Sequence, residues 1–205
     1  MIIILGIAKP DLLHAVLMNI VDVVFRSLCC MNGQQNGVAN KKSAGKEVRI
    51  MSLEKAKEYL KAKGYADHII ELEESSATVQ LAAEALGVEP GMIAKTMSFL
   101  TEDGPILILT EGTAKIANRK YKDYFHEKAK MIPFGEVEEY IGHAPGGVCP
   151  FGIKDGIKVY LDESLKRFDT VYPAAGNDHS AVKLTIAELE EVAGAGGWID
   201  VCKEM

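Results

Sequence analysis

Two strand-like runs, Ile93 to Leu100 and Ile106 to Thr110, are separated only by Thr101-Glu102-Asp103-Gly104-Pro105. Asp, Gly and Pro reverse a chain readily, so the two runs are expected to pair as an antiparallel hairpin. Around them lie short helices with legible ends. Ser52 can cap a helix whose apolar positions Leu53, Ala56 and Leu60 recur at helical spacing, with Gly64 at its stop. Thr78 opens a second, with Val79, Ala82, Ala83 and Leu86 on one face and Gly87 at its end. Glu136 to Ile141 forms a third, ended by Gly142, and Thr185-Ile186-Ala187-Glu188 has the spacing of a capping box for a helix through Val192 that Gly194 can stop. The polar stretch from Thr113 to Lys130, with the stripe Ile116, Tyr121 and Phe125, reads as one or two exposed helices. Further strands are expected at Ile69 to Leu72, Ala129 to Ile132, Ile157 to Leu161, Thr170 to Ala174 and Ile199 to Cys202. Hairpin-joined strands mixed with short helices define an α+β (mixed α/β) domain, not a doubly wound parallel sheet.

The chain of 205 residues is long enough for one core and too short for two ordinary domains with a linker. Its formal charge of -6 argues against a protein that coats nucleic acid nonspecifically, which requires many Lys and Arg contacts to phosphate, but leaves room for a local basic patch. Cys29, Cys30, Cys149 and Cys202 show neither metal spacing nor a disulfide framework, which points to a reduced, cytoplasmic protein.

Residues 1–50 do not match the rest. Pro10-Asp11, Asp22 and Arg26 cut the apolar opening below the roughly 20 residues that span a bilayer, and no basic segment precedes it as in a signal peptide. Asp11 to Leu28 is read as a peripheral amphipathic helix, and the Gly/Asn/Lys/Ser-rich stretch 31–47 as a linker. Lys46-Glu47-Val48-Arg49 can be encoded AAG-GAG-GTG-AGN, a purine-rich run like a bacterial ribosome-binding site just before the ATG of Met51. The expectation is therefore an over-called start at 1–50 and a domain at 51–205.

On the first strand, alternation puts Ile93, Lys95, Met97 and Phe99 on one face, so Lys95 interrupts an apolar row. It is either a lysine snorkelling to water or a cation held in a cleft as an anion ligand or base. The loop Gly142-His143-Ala144-Pro145-Gly146-Gly147-Val148-Cys149-Pro150-Phe151-Gly152 exposes backbone N–H groups that can hold an oxygen gaining negative charge, or is an ordinary surface loop. Cys149 invites a thiol-nucleophile reading with His143 or His179 as base, whereas exposed polar roles are the default for both histidines. No grouping has zinc spacing, and no glycine fingerprint of a nucleotide cofactor is present, so neither metal nor cofactor is expected. Lys115, Arg119 and Lys120 make a basic run around an aromatic, extended by Lys128 and Lys130. It is read as a solvated helix face or as a phosphate-contacting patch.

In order along the chain, A-A-E-A-L-G-V-E-P, I-A-K-T at Ile93 to Thr96, G-G-V-C-P-F-G, D-E-S-L at Asp162 to Leu165 and D-T-V-Y at Asp169 to Tyr172 resemble the YbaK/ProX family over nearly all of 65–200. The resemblance implies a mixed sheet curled into a partial barrel with surrounding helices. It also implies an editing pocket that hydrolyses the ester of mischarged tRNA at its 3′ aminoacyl end. The family lysine corresponds to Lys95 and the family glycine loop to Gly146, Gly147, Pro150, Phe151 and Gly152; many members carry serine in place of Cys149. Lys95 is thereby assigned to the terminal phosphate or the carbonyl, and the 146–152 backbone to the oxyanion. Cys149, His143, His179, Lys115, Arg119 and Lys120 are taken as further substrate-binding positions. With no room for a synthetase body, the chain is expected to act in trans, with an aminoacyl-tRNA synthetase as a further partner and neither DNA nor membrane. A tRNA-binding module without catalysis and a Cys149-dependent thiol hydrolase remain the alternatives.

Overall fold

Ile106-Leu107-Ile108-Leu109 is apolar without alternation, and a strand of that kind has to be covered on both faces. The structure, a computed structural model that describes residues 52–203, places this run in β3 (Gly104–Glu111), one of the two central strands of a six-stranded sheet. β3 pairs antiparallel with β2 (Ile93–Thr101) and parallel with β4 (Lys158–Asp162). β5 (Thr170–Pro173) and β7 (Leu184–Thr185) continue the sheet beyond β2, and β8 (Trp198–Ile199) continues it beyond β4. The mixed sheet curls into a half-barrel. A separate antiparallel pair, β1 (Ile69–Glu71) with β6 (Ser180–Val182), joins the end of β5 through an Ala174–Ala181 bridge.

Leu107 and Leu109 point into the main core with Val159, Leu161 and Val171. That core is closed by Ala56 and Leu60 of α1 (52–62), Val137 and Ile141 of α4 (Val137–Ile141), and Leu189 and Val192 of α5 (Ile186–Ala193). The other face of β3, Ile106 and Ile108, packs with Phe99 against Tyr121 and Phe125 of α3 (Asn118–Phe125). α2 (Val79–Leu86) rests its Ala82 and Ala83 on Ile93.

The hairpin is tighter than its sequence suggests. Thr101 pairs with Gly104, so only Glu102 and Asp103 form the loop, and Gly104 adopts φ +118°. Ala129 to Ile132 is not a strand of its own but one bridge between Met131 and Phe99, flanked by Leu100 N–H to Lys130 O and Ile132 N–H to Ser98 O. β5 covers β2 only at Ile93 and Ala94, which leaves that edge open for this short contact until Pro133, which has no N–H, ends it. Likewise the last strand is Trp198–Ile199, and Cys202 makes a single bridge to Ile116. The amphipathic helix expected over Asp11 to Leu28 and the linker over 31–47 lie outside the described residues.

Thr185 accepts from Glu188 N–H at 3.3 Å while the Glu188 carboxylate accepts from Thr185 N–H at 2.7 Å, completing the capping box. Because α5 closes the main core, Thr185→Ala is expected to lower stability by about 1 kcal/mol and Thr185→Ser to keep it; urea unfolding of the two variants checks this.

Candidate active site

A cleft of about 190 Å³ opens where α2, the start of β2 and the glycine loop meet. Val79, Ala82, Leu86, Ile93 and Tyr172 give it an apolar part; Lys95 and Thr96 of β2, Gly146 and Val148 of the glycine loop, and Ser180 complete the lining. Among the described residues, none that lines it is Asp, Glu or His. Thr78 caps α2 by accepting from Leu81 N–H at 3.2 Å, which fixes the helix end that borders the cleft.

Lys95 is half-buried, and alternation on β2 directs it away from the main core as the sequence pattern requires. Its Nζ donates to Gly112 O at 3.2 Å and Ala114 O at 2.6 Å. An ammonium has three N–H donors, so one is left for a ligand. Burial lowers the Lys95 pKa below the ordinary lysine value; Cys202 and Glu111 oppose that shift and Lys115 adds to it. Two carbonyl acceptors favour the charged form, so the group is suited to bind an oxygen anion.

The glycine loop divides into two sets of residues. Gly146 and Val148 line the cleft, whereas Gly147, Cys149, Pro150 and Phe151 are buried behind it. A Cβ on Gly147 would lie 2.5 Å from Asn177 Cα and Gly176 O, so only glycine lets the loop sit against that segment. Gly147 N–H is already given to Ala144 O at 3.1 Å, while the N–H groups of Gly146 and Val148 have no partner among the described residues. Gly152 adopts φ +64° against Lys55 of α1, away from the cleft. The structure therefore does not bring Gly147, Gly152, Cys149, Pro150 or Phe151 to the cleft lining; their place is the loop's support.

His143 is a correction. Instead of an exposed loop histidine, it is fully buried beneath the loop, because Gly142 turns left-handed at φ +92° ahead of it. Its Nε2 donates to Phe151 O at 2.9 Å, and burial, against that bond, pushes its pKa down to about 4. Ser52 Oγ of α1 accepts from Ala144 N–H at 3.3 Å, a second tie under the same loop. His179 keeps its exposed place, with Nδ1 3.1 Å from Asp178 Oδ1, beside Ser180 at the cleft. Lys115 and Arg119 are exposed at the start of α3, and Lys120 binds both oxygens of Asp200 at 2.9 Å. Thr96 and Tyr172 belong to motifs visible in the sequence, yet their place in the cleft, like that of Ser180, depends on strand neighbours that only the fold supplies.

Residues 73–192 match the family described as the aminoacyl-tRNA editing domain. The chain is 48% identical over 155 residues to YwhH of Bacillus subtilis strain 168, an uncharacterized protein, covering 75% of this chain and 99% of that one. It is 25% identical over 122 residues to the Enterococcus faecalis protein named "Putative Cys-tRNA(Pro)/Cys-tRNA(Cys) deacylase EbsC", covering 58% of this chain and 74% of that one. Its fold matches the crystal structure of "a putative trans-editing enzyme for prolyl tRNA synthetase" with a TM-score of 0.68 and 30% identity, over 75% of this chain and 98% of that chain. The chain belongs to the aminoacyl-tRNA editing domain family. It is a hydrolase of the ester bond of aminoacyl-tRNA.

Burial pushes the Cys149 thiol up to about 12, and its Sγ lies 3.6 Å from Phe151 O, so it is no thiolate nucleophile. Cys149→Ser and Cys149→Ala are both expected to stay within about tenfold of the wild-type deacylation rate, about 1.4 kcal/mol in barrier. Single-turnover assays on folded protein check this; loss of several orders of magnitude in both would restore the thiol-hydrolase reading.

Proposed function

We propose that the cleft binds the 3′ aminoacyl end of mischarged tRNA, with Lys95 and the Gly146 and Val148 amides acting on the ester carbonyl. The observation that carries this reading is that Lys95, Gly146 and Val148 line one and the same cleft. Water adds to the carbonyl carbon, and the oxyanion that forms is stabilised by the remaining Lys95 N–H and the two amides. The carbon–oxygen bond to ribose then breaks, one proton of the added water passes to the ribose oxygen, the other is released to solvent, and the amino acid leaves as its carboxylate. With no acid or histidine among the described lining residues, catalysis rests on positioning a water against an ester that is already activated. The apolar wall of Val79, Ala82, Leu86 and Ile93 faces the amino-acid side chain and limits its size.

Lys115 and Arg119 provide phosphate contacts for the tRNA strand as it leaves the cleft, with Lys120 available by exchanging Asp200. The proximity of Lys115 to Lys95 that lowers the latter's pKa supports this route. His179, next to the lining residue Ser180, is a further candidate contact for the substrate. DNA carries no such ester and is not a substrate. No helix among the described residues is long and apolar enough to cross a membrane, and we assign the protein to the cytoplasm, where charged tRNA is made. We also assign the editing domain to 51–205, a span equal in length to the 155-residue match with YwhH.

Lys95→Ala is expected to slow deacylation of a mischarged tRNA by about 100-fold or more while circular dichroism stays unchanged. A panel of mischarged tRNAs identifies the substrate; near wild-type rates for the variant on that substrate would remove Lys95 from the mechanism.

A further inference from the structure

Glu111 ends β3 and is buried, with 1% of its surface exposed. A buried carboxylate is costly unless its oxygens are satisfied. Here Oε2 accepts from Thr113 N–H at 3.1 Å and Oε1 from Thr113 Oγ1–H at 2.8 Å. Its main chain is engaged as well: the amide donates to Ser164 Oγ at 3.2 Å, and the carbonyl accepts from Ala114 N–H at 3.3 Å and Thr110 Oγ1–H at 3.0 Å. The turn from 111 to 114 is thus closed by a side chain. The two carbonyls that turn presents, Gly112 O and Ala114 O, are the ones that hold the Lys95 ammonium.

Two glycines let the turn sit where it does. A Cβ on Gly112 would fall 2.1 Å from Pro90 O, and one on Gly91 would fall 3.0 Å from Glu111 Oε2 and 2.4 Å from the Phe168 ring. Pro90–Met92 therefore packs directly on the closed turn.

We propose that Glu111 is a positioning residue for deacylation: by tying down Thr113 it fixes the Gly112 and Ala114 carbonyls, which aim the third N–H of Lys95 into the cleft. The inference rests on the reading that Lys95 acts on the substrate. The charged and titratable groups facing Lys95 are Glu111 from β3, Lys115 beyond the turn, and Cys202 from the C-terminal segment. Of these Glu111 and Cys202 favour the ammonium and Lys115 opposes it, so loss of the Glu111 charge lets Lys95 lose its proton at lower pH.

The test compares Glu111→Gln, Glu111→Ala and Lys95→Ala in enzyme-dependent deacylation of the mischarged tRNA that the wild type prefers, across pH and above the buffer background. Glu111→Ala is expected to lower kcat by about 10- to 100-fold with KM nearly unchanged. Glu111→Gln keeps an oxygen acceptor and a polar group toward Thr113, so it should recover most of kcat at neutral pH. It should also move the alkaline fall in rate down by about half a pH unit or more. An alkaline limb for Glu111→Gln that coincides with wild type overturns the positioning role, whether or not Glu111→Ala folds. So does a kcat loss in Glu111→Ala no larger than its loss of folded fraction. If Lys95→Ala is inactive while both Glu111 variants match wild type, the positioning role alone is wrong; if Lys95→Ala is fully active, the reading beneath it is wrong.

Discussion

A lysine half-buried on the central hairpin of a curled sheet gives up part of its hydration and has to satisfy its charge with protein acceptors. Lys95 does so through the carbonyls of Gly112 and Ala114, which lie across the hairpin at the end of the neighbouring strand. The register Lys95↔Thr110 brings that turn under the lysine, so slipping the hairpin by one residue would move the ammonium to the opposite face and into the main core. Central strand pairing, the buried Glu111 and the place of Lys95 in the cleft lining are therefore one structure. The fully covered β3 gives it rigidity, since Ile106 to Leu109 are all buried.

The glycine-loop part of the cleft lining is built by a different rule. Once past the turn at Gly146, the loop alternates, with Gly147 and Cys149 inward and Gly146 and Val148 outward. The inward set is locked by close contact with Gly176–Asn177 and by the Phe151 carbonyl, which gathers His143 Nε2 and lies 3.6 Å from Cys149 Sγ. Such support leaves the N–H groups of Gly146 and Val148 without a protein partner among the described residues, on a segment held from behind. Preorganised donors of this kind stabilise an oxyanion without reorganising when it forms.

Much of this was legible in the sequence because it rests on local chemistry. The caps at Thr78 and Thr185, the left-handed glycines at 87, 142 and 194, and the Lys95 face all follow from spacing or from residue-specific backbone preferences. What stayed hidden depends on partners distant in the chain. Ser180–Val182 has too few residues to show a period, and it is a strand only because Ile69–Glu71 lies beside it. T-E-G-T at 110–113 looks like a polar turn, and nothing in its composition says that Glu111 is buried. The glycine loop announced exposed amides but not which ones, because Gly147 N–H is consumed by Ala144 O and Gly152 is held against α1. The inward direction of His143 likewise depends on the turn at Gly142 and on the Phe151 carbonyl eight residues away.

The central claim is that one aminoacyl ester lies between Lys95 and the Gly146 and Val148 amides of the loop. Amide NMR spectra recorded with and without a 3′-aminoacylamino-3′-deoxyadenosine, whose amide link resists hydrolysis, test it most directly. The account predicts that the Gly146 and Val148 N–H resonances shift strongly on binding, while Gly147, already bonded to Ala144 O, and Gly152, packed on α1, move little. Strong shifts at Gly147 and Gly152 with Gly146 and Val148 unmoved would contradict it.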